Sequence, residues 1–225
     1  MGKYDFGGEQ PVNYEQKCPC ILVLDVSGSM DGRSINQLND GLEKFSRDVM
    51  DDQITKSRLE VGIVTFGSSV SVAQEPKLID QFDMPRLSAN GTTKLVDGVR
   101  EGIRMAEGRK LWYRDTGQNY YRPYVILITD GASDSDQDIA GLAQEIQRGV
   151  SGKHFNFWAF GVEDADMNML QSISDPSAPP LLITNCDFAG FFKWLSNSVE
   201  KVVRSREGDK IDFTPEKPTL FQHTV

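Results

Sequence analysis

Short, unbroken apolar runs alternate along almost the whole chain with stretches whose apolar residues recur every three or four positions. The first run is Cys20-Ile21-Leu22-Val23-Leu24. It has no polar face, as a central parallel strand covered on both sides requires. Residues 59–66, 125–129, 155–160 and 181–183 are further runs of strand length. Between them, Ile35, Leu38, Leu42, Phe45 and Val49 keep helical spacing, as do Leu95, Val99, Ile103 and Ala106. Ile139, Leu142, Ala143, Ile146 and Val150 mark a third amphipathic helix, and residues 166–173 a short one. Phe188, Phe191, Phe192, Leu195, Val199 and Val202 mark the last and most strongly periodic helix. The tight link Gly67-Ser68-Ser69 joins residues 59–66 to a short run at 70–73. A hairpin follows, which puts the second of these strands antiparallel at an edge.

Strands alternating with helices in this way predict an α/β fold. The expected form is a doubly wound, mostly parallel six-stranded sheet with one antiparallel edge strand and helices on both faces. The pattern fills residues 18–206, read as one domain, with an N-terminal extension at 1–17 and a C-terminal extended tail at 207–225. From Gly208 the residues turn polar and include Pro215 and Pro218. With 225 residues, 39% of them hydrophobic, the chain is long enough for one core without disulfide staples.

Charge and cysteine content narrow the function. The 33 acidic residues outnumber the 24 basic ones, for a net charge of −9, and no concentrated basic patch offsets it. Phosphate backbones would repel such a surface, so no nucleic-acid partner is expected. No run approaches the ~18 apolar residues of a membrane-spanning helix, so no membrane partner is expected either. The first residues, Met1-Gly2-Lys3-Tyr4-Asp5-Phe6-Gly7-Gly8, lack the apolar segment of a secretory signal. Cys18, Cys20 and Cys186 make an odd count with no CxxC pair, unlike a disulfide framework. A cytoplasmic location is the resulting expectation.

In doubly wound sheets ligands sit at the carboxyl ends of the strands. Here those ends are rich in oxygen. The first strand runs into Asp25-Val26-Ser27-Gly28-Ser29-Met30, and the fourth ends in Thr129-Asp130-Gly131. The loop before the second helix carries Asn90-Gly91-Thr92-Thr93-Lys94. If the first and fourth strands are neighbours, two carboxylates and two or three hydroxyls converge. Hard donors in that number suit Mg²⁺ or Mn²⁺, with Ca²⁺ less favoured. Singly, each cluster also reads as a turn former or a helix cap. Three of them at adjacent strand ends are not explained by turns.

Asp25-x-Ser27-x-Ser29, the downstream Gly-x-Thr and Thr129-Asp130-Gly131 together resemble the metal-ion-dependent adhesion site of von Willebrand factor A (VWA) domains. Residues 22–30, Tyr120-Tyr121-Arg122-Pro123 and Phe191-Phe192-Lys193-Trp194-Leu195 further resemble the bacterial tellurium-resistance TerY-like branch. The resemblance implies a Rossmann-like VWA fold in which Ser27, Ser29 and a threonine contact a divalent cation directly. Asp25 and Asp130 would hold it through waters or hydroxyls. Family spacing points to Thr93, while Thr92 stands where many relatives have a second glycine, so both remain candidates. Neutral hydroxyls would leave the cation electrophilic, with a position open for a glutamate or aspartate of a partner protein. The resemblance thus implies a non-enzymatic adaptor or scaffold in a bacterial stress or tellurium-resistance system, where such domains accompany kinases and phosphatases.

Rival readings use the same residues. A haloacid-dehalogenase-like, Mg²⁺-dependent phosphatase would take Asp25 as nucleophile, but its usual second acid is replaced by Ser27. A serine hydrolase lacks both its Gly-x-Ser-x-Gly elbow and a placed histidine, since only His154 and His223 occur. Asp134, Asp136, Asp138 and Glu145 have the spacing of a calcium loop, but its glycine position is Ile139. Helix capping accounts for them better. With Glu163, Asp164 and Asp166 they would make the metal face negative, favouring a partner with basic residues around its ligating carboxylate. A scaffold binding through a face away from the metal is the remaining alternative.

Overall fold

The apolar run at residues 18–25 forms strand β1 (Cys18–Asp25), buried along its whole length. In the computed structural model, the described residues are Tyr4, 6–131, 133–134, 136–205 and 221–222. β1 pairs in parallel with β2 (Leu59–Phe66) on one side and, further along the chain, with β4 (Tyr124–Thr129) on the other. β3 (Val70–Leu78) returns antiparallel along β2, so the Gly67-Ser68-Ser69 link makes the expected edge hairpin. This strand is longer than its four-residue apolar run suggested, because Gln74, Glu75 and Lys77 interrupt the pattern before buried Leu78. Two register shifts and Pro76 accompany the irregular half, as an edge strand tolerates.

β5 (Asn156–Val162) and β6 (Leu181–Ile183) extend the parallel sheet beyond β4. The expected six-stranded, mostly parallel α/β sheet is present. A seventh, two-residue strand, β7 (Phe221–Gln222), adds antiparallel to β6, giving the order β3-β2-β1-β4-β5-β6-β7. It falls within the tail expected at 207–225; the rest of that tail lies outside the described residues, as does His223.

Helices cover both faces, and β1 shows how. Cys18, Cys20, Leu22 and Leu24 point to one layer, formed chiefly by α1 (Arg33–Met50) and α6 (Phe188–Arg204). Ile21 and Val23 point to the other, formed by α3 (Leu95–Thr116), α4 (Ile139–Ser151) and α5 (Met167–Ile173). The period-two alternation of a strand thus feeds two apolar layers. α3 lies unusually close to the sheet: a β-carbon on Gly102 would stand 2.4 Å from Val23 Cγ2. A further helix, α2 (Gln53–Arg58), was not legible as periodicity because it has only six residues; Asp52 caps it by accepting from Thr55 N at 2.9 Å.

Residues before β1 pack on the molecule. Lys17 pairs with Tyr120 in an isolated bridge, and Lys17 Nζ donates to Glu15 O at 2.7 Å. Arg109, buried near the end of α3, holds Glu60 through bonds of 2.6 and 2.9 Å and Glu9 through two of 2.9 Å. Its guanidinium stacks 3.8 Å from the Trp112 ring centre. The aromatic clusters are packing elements as well. Tyr113 and Tyr120 stack with ring centres 5.0 Å apart, and Trp158 and Trp194 meet at 5.4 Å.

Candidate metal centre

The chain leaves β1 for β2 on one side and later enters β4 on the other, so the strand order reverses between β1 and β4. The carboxyl ends of those two strands flank the crevice where doubly wound folds bind ligands. Asp25 closes β1 and Thr129 closes β4, which puts the two acid-bearing segments side by side.

Local hydrogen bonds aim the side chains. Asp25 is fully buried; its Oδ1 accepts from Ser27 N at 2.8 Å and its Oδ2 from the Thr129 hydroxyl. The first bond turns the backbone sharply after β1, so Ser27 and Ser29 project to the same side, with hydroxyls 3.0 Å apart. Ser29 Oγ donates to Asp130 Oδ1 at 2.8 Å. The loop bearing Thr93 is tied to this turn by Gly28 N on Gly91 O at 2.9 Å and Asn90 N on Val26 O at 2.8 Å. Gly91 has φ +80° and packs against Ser68, whose Oγ would lie 2.0 Å from any β-carbon there, so glycine is required.

Gly131 locates the centre of the cluster. A β-carbon built on it would lie 3.6 Å from Thr93 Oγ1, 3.7 Å from Ser29 Oγ and 3.8 Å from Asp25 Oδ2. These three oxygens therefore ring one small volume that glycine leaves open, and Ser27 and Asp130 are hydrogen-bonded to Ser29 beside it. Asp25, Ser27, Ser29, Thr93 and Asp130 are thus brought together. Thr93 is buried at this volume, whereas Thr92 is exposed and its N donates to Ser68 Oγ at 2.9 Å.

The electrostatics are those of an acid pair without a counter-charge. Burial raises the Asp25 carboxyl above its ordinary value, against the bonds from Ser27 and Thr129, and the neighbouring Asp130 raises it further. Burial and the charge of Glu163 raise Asp130, against the bond from Ser29. Among the described residues no Lys, Arg or His pairs with either acid. Nor is any group of three or more His, Cys, Asp or Glu among them placed to hold a metal ion. The donor set is instead two carboxylates and three hydroxyls, which fits a hard divalent cation: such an ion would find neutral oxygens and clustered negative charge together.

The remaining acids are used elsewhere. Asp138 caps α4 through Gly141 N at 2.9 Å and meets Arg100 at 3.1 Å, and Glu145 also pairs with Arg100. Asp134 binds the Thr93 backbone. Ion binding by this run would need those partners released, and the expected capping holds for Asp138 alone, since Asp134, Asp136 and Glu145 meet Thr93, Lys94 and Arg100 instead. His154 is exposed, 3.8 Å from Glu107. Thr129 belongs to the Thr129-Asp130-Gly131 motif, but its role of holding Asp25 is not legible in that motif. Its signal was a hydroxyl residue at the end of an otherwise apolar strand, next to the acid.

The class this geometry defines is a doubly wound α/β domain with a hydroxyl-rich oxygen cluster at its topological switch point. The chain belongs to the von Willebrand factor type A domain family, whose model matches residues 20–197. Domains of this kind commonly mediate metal-dependent protein–protein interaction. Curated relatives include the inter-alpha-trypsin inhibitor heavy chain H3 of Mesocricetus auratus, 28% identical over 189 residues covering 72% of this chain and 21% of the relative. The Bos taurus protein of the same name is 27% identical over 157 residues, covering 68% and 17%. The chain therefore spans about a fifth of the length of the curated relatives it matches. Among solved structures, a von Willebrand factor type A protein from Catenulispora acidiphila superposes with TM-score 0.61 at 18% identity, covering 83% of this chain and 43% of that one. Proximal thread matrix protein 1 from the mussel byssus, with a zinc-occupied MIDAS motif, superposes with TM-score 0.56 at 15% identity, covering 83% and 48%. At such identities the structural likeness concerns the fold.

Proposed function

We propose that this domain is a metal-dependent protein-interaction module whose site is formed by Asp25, Ser27, Ser29, Thr93 and Asp130. The observation that carries the reading is the convergence of Thr93 Oγ1, Ser29 Oγ and Asp25 Oδ2 on the space beside Gly131. Ser27, Ser29 and Thr93 offer neutral oxygens. Asp25 and Asp130 supply charge from behind, oriented by Thr129 and Ser29. A bound divalent cation, Mg²⁺ or Mn²⁺ by its match to hard oxygen donors, would supply an electrophilic centre for a glutamate or aspartate of a partner protein. Glu163, which acts electrostatically on Asp130, adds negative charge at the rim and favours a partner with basic residues beside its ligating acid.

The biological setting in this reading is a cytoplasmic stress or tellurium-resistance system in a bacterium, with a kinase or phosphatase as partner. It rests on the likeness of residues 22–30, 120–123 and 191–195 to the TerY-like branch. A binding role is favoured over an Asp25 phosphatase by one observation: both Asp25 oxygens accept hydrogen bonds that fix the loop, and Ser27 stands where a proton-donating acid is needed.

Calorimetric titration of Mn²⁺ into chelator-treated protein tests the site. A single binding event lost in Asp25→Ala and in Thr93→Ala is expected. Binding that is unchanged in Asp25→Ala would overturn the site. Partner capture that persists in chelator would move the function to another face, and hydrolysis of an aryl phosphate lost in Asp25→Ala would restore the phosphatase reading.

A further inference from the structure

The loop that leaves Asp130 turns back onto the loop that presents Thr93. Asp134 Oδ1 accepts from Thr93 N at 3.1 Å, and Asp134 N donates to Thr93 O, also at 3.1 Å. One residue thus grips both backbone polar groups of the other. Three positions on, Gln137 Oε1 accepts from Val96 N at 2.8 Å. This satisfies a first-turn amide of α3, whose N-cap residue, Lys94, offers no side-chain cap. From the opposite side, Lys94 N donates to Gly67 O at 3.0 Å.

These contacts fix the peptide on both sides of Thr93. A β-branched threonine on a fixed backbone has few χ1 choices, so holding the peptide narrows the directions open to the hydroxyl. The Thr93 hydroxyl is the one donor of the cluster that arrives from the α3 side; Asp25, Ser27 and Ser29 come from β1 and its turn, and Asp130 from β4. The Gly28–Gly91 and Asn90–Val26 bonds set its loop against the β1 turn. Asp134, four residues after Asp130, joins Thr93 itself to the β4 segment, with Gln137 on Val96 beside it.

We propose that Asp134 is a positioning residue of the metal centre, acting through Thr93 rather than on the metal. The proposal rests on the metal-site reading above. It assigns the first acid of the calcium-like run a task unrelated to calcium, one that needs an acceptor oxygen and not a charge.

That distinction supplies the test. Asn keeps an oxygen at the same position and can still accept from Thr93 N, whereas Ala cannot. Loss of one such bond is worth about 1 kcal/mol, roughly fivefold to tenfold in affinity. Mn²⁺ would be titrated calorimetrically into chelator-treated wild type, Asp134→Ala, Asp134→Asn and Asp25→Ala. Amide exchange at Thr93 and the melting temperature would be followed without metal.

The expected result is a Mn²⁺ affinity about tenfold weaker in Asp134→Ala and within about twofold of wild type in Asp134→Asn. Thr93 amide exchange should be faster only in the Ala variant, with melting little changed in both. Equal affinity in Asp134→Ala and wild type, while Asp25→Ala loses binding, would overturn the positioning role and leave the metal site standing. Equal losses in Asp134→Asn and Asp134→Ala would overturn it in favour of a charge effect. Wild-type protein that takes up no Mn²⁺ would defeat both readings, reducing the Asp134–Thr93 pair to a structural contact.

Discussion

The Thr129 hydroxyl donates to Asp25 Oδ2 across the β1–β4 boundary, joining the last residues of two parallel strands side chain to side chain. The bond sits where neighbouring strands diverge in connection, and with Ser27 N it fixes which way the buried carboxylate faces. Thr129→Val keeps the shape and removes the donor. It should leave the fold intact, cost about 1–3 kcal/mol for the unsatisfied acceptor, and weaken Mn²⁺ binding about tenfold. Urea unfolding and calorimetry measure the two effects separately.

Metal and stability should be linked. The two site acids carry raised pKa values and no basic partner among the described residues, so a cation that binds only the folded chain adds its binding energy to stability. At a free Mn²⁺ concentration a hundredfold above the dissociation constant the gain is about 2.7 kcal/mol. Melting should therefore rise with Mn²⁺ and return to baseline on chelation. In Asp25→Ala it should stay flat.

Gly102 marks a contact with no slack. An added methyl would meet Val23 Cγ2 at 2.4 Å, against a strand buried on both faces. Gly102→Ala should gain helix propensity and still lose stability, by about 1–3 kcal/mol, because α3 must lift from the sheet. Thermal unfolding would show the loss as a fall of about 2–4 °C per kcal/mol.

The buried Arg109 should be costly to remove. Arg109→Ala would strip buried Glu60 of its guanidinium partner and leave it the Tyr113 hydroxyl at 2.6 Å, at a cost of about 3 kcal/mol. Glu9→Gln, which alters the more exposed partner, should cost much less. Denaturant midpoints of the two variants order the effects.

Lys17 gives a pH dependence. Burial lowers its amine from the ordinary 10.5 to about 8, against the pull of Glu60 and Glu15. Between about pH 8 and 10.5 the unfolded chain holds the proton that the folded chain has lost, so this group adds stability as pH rises through that window. Lys17→Met should abolish the rise. Paired urea titrations of wild type and variant from pH 7 to about 10.5 isolate the contribution from other groups that ionise there.

Much of this was legible in the residues. Unbroken runs such as residues 20–24 suit strands covered on both faces, and Phe188, Phe191, Phe192, Leu195 and Val199 keep the spacing of a helix. The alternation of the two determines a doubly wound sheet, and that topology alone puts Asp25 and Asp130 at ligand-binding strand ends. Hydroxyl and acid residues after apolar strands marked these strand ends as candidates, while the particular donors came from the likeness to the von Willebrand factor A site, which left Thr92 and Thr93 both open. It could not show the joins. Thr129 on Asp25, Asp134 on Thr93 and Glu9 on Arg109 link residues 41 to 104 positions apart. Nothing in local spacing records which loop meets which. α2 and β7 escaped for a related reason: six- and two-residue elements have no period to read and exist because neighbouring strands and caps complete their hydrogen bonds. Periodicity is a property of consecutive residues and determines the elements; only the packed sheet decides which of their ends touch.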